Sequence, residues 1–98
     1  MDDGITDNTA RHRYELAVDG ATAFVLYRRK PGVITFIHTE VPEALAGRGI
    51  GSRLARHVLD AARRDGLRVV PLCPFIADWM ARHPEYDDLR ATATSDGG

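Results

Sequence analysis

Cysteine is almost absent from this chain: Cys73 stands alone among 98 residues. A single thiol excludes an internal disulfide and a cysteine-built zinc site. Lysine is as scarce, since twelve of the thirteen basic residues are arginine and only Lys30 is not. Basic and acidic side chains nearly cancel, thirteen against fourteen, which excludes the overall basic surface of a nucleic-acid binder. The arginine bias reads as genome composition rather than phosphate recognition. No run approaches the roughly eighteen apolar residues of a membrane span, and no charged start followed by an apolar stretch marks a signal peptide. The four histidines, His12, His38, His57 and His83, lack metal-ligand spacing. These absences leave a soluble, cytoplasmic domain as the expectation, with no metal, membrane or nucleic-acid partner. The length allows one domain over residues 13–90, between tails at 1–12 and 91–98 that are expected to be disordered. A core of about eighty residues buries only roughly 60% of the surface its unfolded chain exposes, so a bound ligand matters for stability.

What is present follows a clear order. Arg13 to Val18 alternates Tyr14, Leu16 and Val18 against Arg13, Glu15 and Ala17, the pattern of a half-buried strand. Asp19-Gly20 predicts a tight hairpin into a return strand over Ala21–Arg29, and Lys30-Pro31-Gly32 a second turn into a β-branched strand over Val33–Val41. Pro42 stops that strand. From Ile50 the apolar positions Ile50, Leu54, Val58 and Ala62 mark an amphipathic helix, which Gly66 ends as a left-handed cap. Leu67–Cys73 reads as a short buried strand, parallel to Val33–Val41 because a helix connects them. Pro71 lies inside it and donates no ladder hydrogen bond, so the strand is either at an edge or parts from its neighbour there. Pro74 opens a last helix, which His83-Pro84 terminates. The predicted fold is α/β: a mixed sheet of three antiparallel strands, a crossover helix, one parallel strand and a short helix.

The segment from Glu40 to Leu54 carries the chemistry. A strand end, a glycine-rich loop and a helix start form a natural anion site, because amides point outward there and the helix dipole favours negative charge. Gly47, Gly49 and Gly51 let backbone approach a ligand, and Arg48 adds a charge-assisted donor. Three alternating glycines alone are equally compatible with a flexible loop ahead of an ordinary helix. The dinucleotide fingerprint does not fit, since the third glycine comes one residue early, and the P-loop's Gly-Lys pair is missing.

The run from Ala46 to Cys73, AGRGIGSRLARHVLDAARRDGLRVVPLC, resembles the coenzyme A-binding motif of the GNAT-type N-acetyltransferases, Gln/Arg-x-x-Gly-x-Gly/Ala, with Ala46 at the first position. His38-Thr39-Glu40-Val41-Pro42, Pro71-Leu72-Cys73-Pro74-Phe75 and His83-Pro84-Glu85-Tyr86 extend the likeness to the small single-domain branch of that superfamily, over about Tyr14 to Leu89. The resemblance implies acetyl-CoA as co-substrate and an unidentified amine as acceptor. It implies that backbone from Gly47 through Arg48, Gly49, Ile50 and Gly51 to Ser52 holds the pyrophosphate, with Arg48 and Arg53 assisting. The strand edge at Thr39, Glu40 and Val41 would pair the pantetheine arm, between parallel strands that splay at Pro71. Larger members carry further segments around the acceptor amine, which this chain is expected to lack, and many use a tyrosine on the last helix, where Trp79 and Met80 stand here.

Two side chains are expected to act in catalysis. Cys73 ends a strand and precedes a helix N-terminus, a setting that favours thiolate, and it would take the acetyl group or protonate the leaving sulfur. The competing reading is a small buried hydrophobe. His38 and Glu40 continue the face of Ile34 and Phe36, and His38 is the candidate general base. His12 and His57 are expected at the surface, His83 packing or capping a helix, and Trp79 and Phe75 in the core. Two alternatives from other classes stand beside the enzyme: a non-catalytic acyl-CoA-binding module and a protein-interaction domain.

Overall fold

A computed structural model of the chain describes residues 4–91. The elements are β1 (Ile5–Asn8), β2 (Arg13–Val18), β3 (Ala21–Lys30), β4 (Val33–Glu40), α1 (Ile50–Arg64), β5 (Arg68–Pro71) and α2 (Pro74–Ala81). Short 3-10 turns occupy Thr9–Arg11, Glu43–Leu45 and Pro84–Leu89. The strands form one sheet in the order β1-β2-β3-β4-β5, antiparallel except for the parallel β4–β5 pair.

Local chemistry accounts for the elements. Asp19 and Gly20 both adopt positive φ (51° and 81°), the handedness a two-residue turn needs to match the twist of β2 and β3. Helix α1 buries Leu54, Ala55, Val58, Leu59 and Ala62 and turns its arginines outward. It ends where Gly66 goes left-handed (φ 69°) and the Leu67 amide donates back to the Ala62 carbonyl at 2.9 Å. Both helices pack on the sheet face that carries Tyr14, Leu16, Val25, Tyr27, Ile34 and Phe36, and they share one hydrophobic core with it. The predicted α/β architecture is the one observed, crossover helix and parallel pair included.

The sheet has one strand more than the sequence pattern predicts. Residues 5–8, expected within a tail, form β1 against β2, with Ile5 opposite Leu16 and Asp7 opposite Tyr14. Three of its four residues are polar, so no alternation announces it; pairing and a side-chain anchor hold it instead. The Tyr27 hydroxyl donates to Asp7 Oδ1 at 2.6 Å, and Asn8 Nδ2 donates to Glu15. At the other end, Ala91 donates to the Val69 carbonyl at 2.8 Å beside an Arg90–Val69 bridge, so the structure begins to pair where a tail is expected. The remainder of that expected tail, 92–98, lies outside the described residues.

The Tyr27–Asp7 contact yields a stability prediction. Burial first, then the Asp7 hydrogen bond, raises the Tyr27 phenol, and burial is the leading cause of the rise at Tyr14 and Tyr86 too. A phenol raised in the folded state ionises first in the unfolded chain. The stability it carries is therefore complete below the ordinary value of 10.0 and is lost as pH rises through and beyond it. Urea unfolding is expected to hold its midpoint up to that pH and to weaken above it. Tyr27→Phe is expected to cost about 1 kcal/mol at neutral pH and to speed amide exchange in β1. Unchanged unfolding and exchange in the variant would show that pairing alone holds the strand.

Candidate functional site

The loop between β4 and α1 is pinned at its middle and open at its end. Leu45 is buried (1% exposed), whereas Ala46, Gly47, Arg48 and Gly49 lie at the surface. Gly47 and Gly49 have φ of 81° and 71°, with open space where a Cβ would stand, so handedness rather than crowding requires glycine at both. Gly49 is the N-cap of α1, no side chain caps the helix, and its first turn holds no acidic residue. The intrahelical ladder starts with the Arg53 amide on the Gly49 carbonyl at 3.1 Å. The amides of Ile50, Gly51 and Ser52 thus face outward without a capping side chain, the arrangement that binds anions.

Gly51 is glycine for a different reason. Its φ is helical, but a Cβ there would lie 2.7 Å from Cζ of Phe75, which projects from the first turn of α2. Ser52 is held beside it, its Oγ accepting from Trp79 Nε1 at 3.1 Å. Arg48 does not point at the helix start: its Nη1 donates to Asp19 Oδ2 at 2.8 Å across to the β2–β3 turn, with both side chains exposed. Arg53 lies on the exposed side of α1, in a shallow groove with Arg56, His57 and Arg64.

Strand β4 carries the second half of the site, and here the structure corrects the predicted faces. Before Ile37 the β3–β4 register pairs Tyr27 with Phe36; after it, Leu26 pairs with His38, Val25 with Thr39 and Phe24 with Glu40. One extra residue on β4, a β-bulge at Ile37, separates the two registers. Because side chains alternate, the insertion exchanges faces. His38 and Glu40 leave the face of Ile34 and Phe36 and stand on the opposite, open face, 3.2 Å apart, with the His38 ring edge-on to Phe24. Thr39 takes the core face instead.

The consequence is a contact that the sequence pattern does not reveal. Thr39 Oγ1 lies 3.2 Å from Cys73 Sγ, and Cys73 is buried (2% exposed) at the N-cap of α2. Its amide donates to the Phe36 carbonyl at 2.9 Å. Parallel pairing stops at Phe36–Pro71, while β4 runs on to Glu40. Residues 37–40 therefore have no β5 partner, and the gap opens where Pro71 has no amide to continue the ladder. The gap is flanked by the glycine-led start of α1, by the Thr39–Cys73 pair and, across the sheet, by His38–Glu40. Glu40 belongs to the strand edge through its backbone, with its side chain on the outer face; Val41 packs half-buried on the core.

The remaining sequence candidates are placed elsewhere. His83 stacks on Trp79 (centroids 3.6 Å, 11° between planes) and shares a 2.7 Å hydrogen bond with the Trp79 carbonyl, the packing role expected of it. His12 is exposed as expected, whereas His57 is half-buried, its ring edge against Tyr14. Trp79 is core, but Phe75 is 36% exposed. The Tyr86 hydroxyl accepts from Arg56 and donates at 2.7 Å to Asp60, which stands nine residues along α1 from Gly51, roughly 13 Å of helix. Among the described residues no group of three or more His, Cys, Asp or Glu side chains could hold a metal ion, and no helix is long and apolar enough to cross a membrane.

Fold and site together define a mixed α/β domain with a helix start that no side chain caps, an open strand edge and a buried thiol around one gap. A model of the GCN5-related N-acetyl-transferase family matches residues 13–89, and the chain belongs to that family. The chain is similar to protein NATD1 of Bos taurus, 36% identical over 52 residues that make up 53% of this chain and 46% of that protein. It is likewise similar to human NATD1, 35% identical over 52 residues, 53% of this chain and 46% of the relative. The chain thus matches about half the length of these curated relatives. The solution structure of a GCN5-like protein from Staphylococcus aureus matches with a TM-score of 0.71 and 26% identity, covering 89% of this chain and 86% of that one.

Proposed function

We propose that the chain is an acetyl-CoA-dependent N-acetyltransferase that passes an acetyl group to an amine. The observation that carries this reading is the gap itself: β4 outruns β5 by four residues, between outward-facing amides at the start of α1 and the sulfur of Cys73. A pyrophosphate suits the amides of residues 47–52, with Arg53 beside them and Arg48 available once it leaves Asp19. The free edge at Thr39, with Glu40 and Val41 beside it, suits the amide-bearing pantetheine arm, which can pair as an added strand.

The two faces suggest a division of labour. The amine nitrogen attacks the thioester carbonyl carbon and the carbon–sulfur bond breaks. Cys73 gives its proton to the departing sulfur, with the Thr39 hydroxyl steadying the thiolate left behind. His38, on the outer face with Glu40 against it, takes the proton that the amine loses. Proton return from His38 to Cys73 through solvent restores the starting state. A free thiol that must stay reduced suits the cytoplasm.

Isothermal titration with acetyl-CoA, with ATP as the control for generic phosphate affinity, tests the reading. Saturable binding of acetyl-CoA with far weaker binding of ATP, followed by acetylation within an amine panel, is the expected result. Binding without transfer to any amine would make the chain an acyl-CoA-binding module, a reading favoured by the lack of a tyrosine on α2, where Trp79 and Met80 stand. No binding at millimolar ligand would overturn both.

A further inference from the structure

Three large apolar side chains remain exposed among the described residues, and all three belong to the two segments that meet at the Cys73–Phe36 hydrogen bond. Leu72 (65% exposed) is its neighbour in sequence, and Phe75 (36%) lies two residues on in the first turn of α2. Ile37 (38%) is the bulge residue that follows Phe36, whose carbonyl holds the Cys73 amide. Exposed apolar residues scattered singly need no explanation; a cluster at one place marks a contact surface. Phe75 is the member that bridges. The other large apolar residues of its helix, Ile76, Trp79 and Met80, are at most 2% exposed, so the core does not require this ring. Its tip abuts Gly51 closely enough that any side chain at 51 would displace it.

This arrangement fixes a path. Phe75 touches the first turn of α1 at one end and is two residues from Cys73 at the other, so a linear ligand joining the helix-start amides to the sulfur passes along the ring. We propose that Phe75 forms the wall against which the uncharged arm of a CoA thioester lies, and so selects a thioester with an apolar arm over a bare phosphate ester. The proposal rests on the acetyl-CoA reading above and names a residue which that reading does not need. The arm carries a gem-dimethyl carbon and two amides, and an aromatic face offers such a group flat apolar area at little entropic cost.

The test compares two ligands on one site. Acetyl-CoA affinity is measured by calorimetry, and ADP, which has the pyrophosphate and no arm, by its competition with acetyl-CoA. Phe75→Ala is expected to weaken acetyl-CoA about tenfold and Phe75→Leu about threefold, with the ADP competition constant within about twofold of the parent for both. The leucine variant keeps apolar bulk and serves if alanine loosens α2. Equal losses for both ligands would overturn the proposal, because the ring would then only hold the first turn of α1 in place. Unchanged acetyl-CoA affinity in Phe75→Ala would overturn it as well. Failure of the parent chain to bind acetyl-CoA is a separate result, which removes the acetyl-CoA reading itself.

Discussion

Cys73→Ala is expected to slow acetyl transfer by about a hundredfold while leaving acetyl-CoA affinity within about twofold. The sulfur is buried, it touches Thr39 Oγ1 at 3.2 Å, and its backbone is held by Phe36, so truncation removes the reactive atom and little else. The same loss is expected whether the thiol protonates the leaving sulfur or carries the acetyl group itself. Intact-mass analysis after mixing with acetyl-CoA separates the two routes, since only the covalent one adds an acetyl to this chain's single cysteine. Thr39→Val removes the hydroxyl at nearly constant shape. If the two groups act as one unit, its loss of turnover will not add to that of Cys73→Ala in the double variant, and Thr39→Ser will restore most of it. Undiminished transfer in Cys73→Ala would end the role assigned to the sulfur and leave it as a small core residue.

The parts of the fold legible in the sequence are those where one local rule decides. Asp19-Gly20 dictates its turn through φ, the spacing from Ile50 to Ala62 dictates the buried stripe of α1, and Gly66 dictates the stop. Strand β1 is illegible because a polar four-residue segment acquires its structure from partners, Leu16 opposite Ile5 and Tyr27 beneath Asp7. The site divides in the same way. The glycine loop is visible as a loop before a helix, yet the different reasons for its glycines are not: Gly49 answers to backbone handedness, Gly51 to the ring of Phe75 in another helix.

The bulge is the most consequential omission, and it does leave a trace. The parity of Ile34 and Phe36 turns polar at His38 and Glu40, whereas the other parity stays β-branched through Ile37, Thr39 and Val41. A strand whose buried parity switches between adjacent residues needs an extra residue to keep its pairing, and the Phe36-Ile37 doublet marks the place. Extended without that insertion, the alternation puts His38 beside the core. With it, Thr39 faces Cys73 and His38 faces the open side of the sheet.

Gly49→Val is expected to weaken acetyl-CoA binding by about a hundredfold, an effect carried by backbone alone. A side chain at 49 meets nothing within 4 Å, so crowding is not the cause. The φ of 71° is: the left-handed region costs an ordinary L-residue roughly 1–2 kcal/mol, and a β-branched one more. Relief comes by turning the residue to negative φ, and that rotation swings the amides at the start of α1 out of convergence. Gly49→Ala should show a smaller loss of the same kind. D-alanine, which prefers positive φ, should keep near-parental affinity, and a chain of this length is within reach of chemical synthesis. Handedness and size thus predict opposite outcomes for two isomeric side chains at one position. Equal loss from L- and D-alanine would locate the requirement in the space before the helix, and no loss from valine would free the loop of any part in binding.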